Sequence, residues 1–114
     1  MIVTAYNNGA HSRSGAGYGF KVHPEDRDAH FKPEWKTILL EIDSEAAPVE
    51  ATMPGEAFWS ENGHEITHPA VGKWLRRNGI APWPRGNPPR FILEPIEENR
   101  FRLAKAGGAA PRKP

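Results

Sequence analysis

A chain of 114 residues, 38% hydrophobic and 25% charged, has the size and balance of one modest globular domain, which excludes a low-complexity polymer and a multidomain array. With no cysteine it offers no disulfide, no thiolate metal ligand and no thiol nucleophile, and no apolar run approaches membrane-spanning length. The formal net charge of +1 is unevenly spread: residues 24–65 carry eleven acids and three bases, whereas residues 66–92 carry five Lys/Arg and no Asp or Glu.

Ile2 to Tyr6 reads as a strand from its β-branched residues. No basic segment precedes it, so no secretory leader is expected and a cytoplasmic setting is. Asn7-Asn8-Gly9 reads as a turn, and Ala10 to Gly19 as a flexible loop. Within it, Gly15-Ala16-Gly17-Tyr18-Gly19 beside Ser12, Arg13 and Ser14 has the composition of an anion cradle, because glycines free backbone N–H groups. A dinucleotide fingerprint needs strand, glycines and helix in that order. Here strand-like residues follow the glycines and no Walker lysine is present. A hairpin loop in which Gly17 and Gly19 permit a bulge or a close backbone contact is the preferred reading.

Tyr18, Phe20 and Val22 alternate with Gly19 and Lys21, predicting a strand with one apolar face. Pro24 ends it, and Glu25 to Phe31 forms a short helix with acids in its first turn. Thr37 to Ile42 is nearly continuous in apolar residues and predicts a central strand covered on both faces. Val49 to Met53 is its expected partner. Pro54-Gly55 turns the chain, and Phe58 and Trp59 bury themselves before a polar loop, Ser60 to Glu65.

His64-Glu65-Ile66-Thr67-His68 matches HExxH, the zinc-protease pattern. That chemistry requires a helix, so that both histidines share one face. Pro69 follows the second histidine directly and disfavours helical backbone before it. The match is therefore read as coincidence, with no metal and no cofactor expected.

Pro69 to Asn78 is the best-marked helix. Pro69 suits the first helical position, and Thr67 is preferred over His68 as the cap. Asn78-Gly79 is the stop, with Leu75 and Ile80 meeting in a Schellman ending. Val71, Trp74 and Leu75 form the apolar stripe, and Lys73, Arg76 and Arg77 an opposite cationic one. The cations either form a solvated face or bind phosphate. Ala81 to Arg90, APWPRGNPPR, is a loop stiffened by prolines that carries Trp83, Arg85 and Arg90. Trp83 either lids the core or stacks on an aromatic ligand.

Phe91 to Pro95 and Arg100 to Ala104 form a hairpin that turns at Glu97, Glu98 and Asn99. Phe91, Leu93, Phe101 and Leu103 face the core, and Pro95 predicts an edge or a bulge. Residues 105–114, KAGGAAPRKP, form a disordered tail after a single domain spanning 1–104.

The expected fold is α+β: a five- or six-stranded, mostly antiparallel curled sheet or small open barrel, with the helix Pro69 to Asn78 packed on it. The expected function is nucleic-acid binding, to DNA or RNA. Arg13, Lys21, Lys73, Arg76, Arg77, Arg85 and Arg90 would meet phosphates, and Trp83 or Tyr18 would stack. One alternative is an interaction or inhibitor module whose acidic stretch, residues 25–65, meets a basic protein. Another is a metal-independent hydrolase or nuclease centred on His11 beside Arg13; with no G-x-S-x-G elbow, no other nucleophile setting is evident. No enzyme activity is the default, and no membrane partner is expected.

Overall fold

Each of the six segments expected to be a strand is one, and a seventh strand completes the sheet. The structure, a computed structural model, describes residues 1–8, 12–61, 64–84 and 86–105. In chain order it contains β1 (Ile2–Asn7), β2 (Tyr18–Val22), α1 (Pro24–His30), β3 (Thr37–Ile42) and β4 (Val49–Thr52). It continues with α2 (Glu56–Trp59), β5 (Glu65–Thr67), α3 (Pro69–Arg77), β6 (Arg90–Glu97) and β7 (Arg100–Lys105).

The strands join one sheet in the order β4-β3-β7-β6-β1-β2-β5. Every neighbouring pair is antiparallel except β3 with β7. The terminal strands β4 and β5 also approach each other, so the sheet curls into a nearly closed barrel. The class is α+β, but the described residues hold seven strands rather than five or six. The additional strand is β5. Three residues are too few to show a period. They become a strand only by pairing with β2, Gly19 opposite Thr67, Phe20 opposite Ile66 and Lys21 opposite Glu65.

Side chains alternate across the barrel wall, as pleating requires. Val3 and Ala5 of β1 point inward, as do Phe20 of β2, Leu40 of β3, Leu93 of β6 and Leu103 of β7. Strand β3 is not covered on both faces: Ile38, Leu40 and Ile42 are buried, but Thr37, Leu39 and Glu41 are only half-buried. The apolar run is near-continuous because Leu39 also lies on the outer face, partly covered.

The helical segments close opposite ends of the barrel. Trp74 of α3 lies against Phe91, ring centroids 5.4 Å apart. Phe31, just past α1, stacks on Phe101 at 4.7 Å with the planes 11° apart. Phe91 and Phe101 belong to opposite ends of the β6–β7 hairpin. That hairpin carries the expected irregularity: its register shifts between Pro95 and Glu97, where a proline cannot donate to the ladder.

Helix α3 ends as the sequence predicts. Ile80 N–H donates to Leu75 O at 2.9 Å and Gly79 N–H to Arg76 O at 3.1 Å, the paired bonds of a Schellman ending. Gly79 has φ +70°. The other end differs. His68, not Thr67, is the cap, its Nδ1 accepting from Ala70 N–H at 3.0 Å. Thr67 belongs to β5 and points outward, exposed, on the other side of the sheet from Ile66.

The glycine-rich loop serves close packing. A Cβ on Gly19 would sit 1.9 Å from the Ile66 carbonyl oxygen, and one on Gly72 would sit 2.5 Å from the Gly15 backbone. Strands β2 and β5, and the loop with α3, therefore approach more closely than any other residue allows.

Lys105, the first residue of the expected tail, is the last residue of β7 and pairs with Phe91. The remainder of the expected tail, residues 106–114, lies outside the described residues.

Candidate functional site

The HExxH segment comes first, because its geometry decides its chemistry. His64 lies in a loop with φ +92°, Glu65 to Thr67 are strand, and His68 caps a helix. The two histidines do not share a helical face. Both rings are also engaged. The Arg27 guanidinium, which can only donate, lies 3.0 Å from His64 Nδ1. The proton is thus on Nε2, which donates to Glu61 O at 2.7 Å. Arg27 also donates to Phe58 O at 3.1 Å and Ser60 O at 3.2 Å, and lies over the Trp59 ring at 5.2 Å. With its side chain only 11% exposed, Arg27 is the tie that binds α1 to α2 and the following loop.

His68 sits at the barrel seam, where its Nδ1 serves α3 and the Glu50 backbone of β4 favours its protonated form. Burial pushes the His68 imidazole below its ordinary value of 6.5, and the bond to Glu50 opposes that shift in part.

The cations separate into two groups. On α3, Lys73 is exposed. Arg77 is held by an ion pair to Glu45. Arg76 is half-buried: its guanidinium lies 5.8 Å from the Tyr18 ring centroid and donates to Ser12 O at 3.4 Å. The helix face is therefore not purely cationic in effect. One of its three charges is neutralised, and another fastens the loop that carries exposed Arg13.

The second group lies on the outer face of β6, β1, β2 and β5. Register places Arg90 opposite Thr4, Thr4 opposite Lys21, and Lys21 opposite Glu65. Arg90, Thr4, Lys21 and Glu65 thus form one row across four strands, all outward because Val3, Ala5, Phe20 and Ile66 beside them point inward. One step along β1, Tyr6 presents its ring to the Lys21 ammonium, 5.6 Å away. One step the other way lies Ile2, 51% exposed. Among the described residues no carboxylate stands within ion-pair distance of Lys21 or Arg90.

Three open clefts, of about 250, 440 and 510 Å³, meet at Thr4. The first runs past Ile2, Lys21 and His23. The second runs past Tyr6 and Lys21 to Trp83, Gly86 and Pro88 of the proline-rich loop. The third runs past Ile2, His23 and Asp26 to Arg90. Together they make a continuous trough.

Trp83 is half-buried, with its ring edge-on to Tyr18 at 5.7 Å, so it both lids the core and lines the trough. Tyr18 is fully buried and cannot stack on a ligand, contrary to expectation. Arg85, and His11 with the hydrolase reading built on it, lie outside the described residues. Four carboxylates of the acidic stretch are in ion pairs among the described residues. Glu41 pairs with Arg100, Asp43 with Arg102, Glu45 with Arg77 and Asp28 with Arg27.

Sequence reasoning missed Ile2, Thr4, Tyr6 and His23. The alternation Ile2-Thr4-Tyr6 against Val3-Ala5 is the available signal, since it gives β1 an outer face with an aromatic on it. That this face joins Lys21 and Arg90 depends on pairing across the chain.

Among the described residues no three His, Asp or Glu side chains converge as a metal site, and no helix is long and apolar enough to cross a membrane. No family model, curated protein or solved structure matches this chain.

Proposed function

We propose that the protein is a nucleic-acid-binding domain. One observation carries the reading: Lys21 and Arg90, neither in an ion pair among the described residues, flank Thr4 in a single row on an open face with the Tyr6 ring beside them. Lys and Arg neutralise phosphates, and an aromatic ring receives a base whatever its sequence. Lys73 and Arg13, both exposed, extend the positive surface toward α3. Arg76 acts as a support through Tyr18 and Ser12, and Arg77 contributes less because Glu45 offsets it.

The test is a titration of intrinsic tryptophan fluorescence, which Trp83 beside the trough makes responsive. Short DNA and RNA strands, single and double, are added at about 50 mM and about 200 mM salt, a range over which phosphate-driven binding falls steeply. Saturable binding that weakens with salt supports the reading. No binding of any of the four at the lower salt overturns it.

A further inference from the structure

We infer that the ligand is a single strand, laid over the outer face of β1 and its neighbours β6 and β2, with one base on Tyr6. This rests on the nucleic-acid reading above and gives it a substrate class and a place.

Three features carry the step from polyanion to single strand. The first is shape. The trough lies on the outside of a nearly closed barrel, a convex wall. A stiff duplex meets a convex wall along a narrow line, whereas a flexible strand bends over it. β1, β2 and β6 are neighbours in one sheet, and clefts bordered by Trp83, Gly86 and Pro88 and by His23 and Asp26 open on their outer face, a surface that takes a strand in rather than inserting into a duplex groove. Duplex readout depends on such an insertion.

The second feature is the order of chemistry along the face. Ile2 and Tyr6 are apolar or aromatic contacts at the two ends of β1, and Thr4 sits between them with Lys21 on one flank and Arg90 on the other. A single strand presents the matching alternation, with unstacked bases to meet the ring and phosphates to meet the cations. A duplex hides its base faces in the stack and offers only phosphates to a flat surface.

The third feature is the resting position of Lys21. Its ammonium lies over the Tyr6 ring rather than against Glu65, its neighbour in the cross-strand row, with which it makes no ion pair. The lysine covers the ring. A phosphate beside Tyr6 draws the ammonium off the ring face, because a full negative charge outcompetes a ring quadrupole for it. The base then takes the place the ammonium leaves. Phosphate contact and stacking are thereby coupled through one side chain.

The experiment compares fluorescently labelled single strands of about 12 nucleotides, within the span of one small binding face, with duplexes of the same sequence. Variants are Tyr6→Ala, Tyr6→Phe, Lys21→Glu and Arg90→Glu, with Lys73→Glu as a control on α3. Circular dichroism and thermal melting establish that each variant is folded. The single strand is expected to bind at least tenfold tighter than the duplex. Tyr6→Ala is expected to weaken single-strand binding about tenfold or more, and Tyr6→Phe to restore it, because stacking needs the ring and not the hydroxyl. Lys21→Glu and Arg90→Glu should each weaken binding more than Lys73→Glu. Equal or tighter duplex binding, indifferent to Tyr6→Ala, overturns this inference and leaves the broader reading standing. Binding abolished by Lys73→Glu but unmoved by Lys21→Glu also overturns it, by moving the site to α3. Absence of binding to either form overturns both.

Discussion

His68 Nδ1 accepts a hydrogen bond from the Ala70 backbone N–H at 3.0 Å, so a side chain that directly follows β5 starts α3. The cap stands at the seam where β5 approaches β4. The cap works only while Nδ1 is unprotonated. Burial holds the folded-state value below 6.5, the value expected in the unfolded chain. The unfolded state thus takes up the proton first. The contribution of His68 is complete above about pH 6.5 and is lost as pH falls through the lower folded value. Urea unfolding of the wild type should show stability declining over that acidic window. His68→Asn keeps an acceptor at the cap and should flatten this part of the profile. His68→Ala should lose about 1 kcal/mol at neutral pH. A His68→Asn profile as steep as the wild type would place the acid sensitivity elsewhere.

Gly19 and Gly79 test two separate reasons for glycine. At Gly19 the obstacle is space, with the Ile66 carbonyl oxygen 1.9 Å from any added Cβ. Gly19→Ala must push β5 away from β2, and should cost about 3 kcal/mol or more. At Gly79 there is open space and the obstacle is φ +70°. Gly79→Ala should cost about 1 kcal/mol through backbone conformation alone. Chemical denaturation of the two variants ranks them, and a reversed order would refute the close approach of β2 to β5.

Arg27 has four acceptors, the exposed Asp28 carboxylate among them, and the face of Trp59 as partners. Arg27→Met keeps much of the volume but leaves Phe58 O, Ser60 O and His64 Nδ1 short of a donor. The expected loss is about 2–3 kcal/mol. Arg27→Lys should recover only part of it, because an ammonium cannot reproduce the planar fork. Full recovery with lysine, measured by thermal unfolding, would mean that charge rather than geometry holds this region.

Arg77 and Glu45 form an ion pair with side chains 52% and 29% exposed. A double-mutant cycle with Arg77→Ala and Glu45→Ala should give a coupling of about 1 kcal/mol or less, screened by salt. In the fluorescence titration, Glu45→Ala should strengthen nucleic-acid binding slightly by unmasking Arg77. Weakened binding in Glu45→Ala would contradict the view that the carboxylate merely offsets that arginine.

Local chemistry alone determined much of this molecule. Pro69 and Gly79 delimit α3, and its Leu75–Ile80 ending follows from where the glycine stands, because left-handed backbone is a property of the residue itself. The inward set Phe91, Leu93, Phe101 and Leu103 follows from a period of two, and the bulge near Pro95 from a missing N–H. Only tertiary structure decided β5, since Glu65 to Thr67 become strand by virtue of Gly19 lying beside them. It also decided which cations are engaged within the fold: Arg77 and Arg76 look equivalent to Lys73 along the helix, yet Glu45 and Tyr18, both remote in sequence, engage the first two. Lys21, Tyr6 and Arg90 show no pattern when read along the chain. They become neighbours through the pairing of β1 with β2 and β6, and such cross-strand neighbours are set by register between segments rather than by the preferences of any one segment.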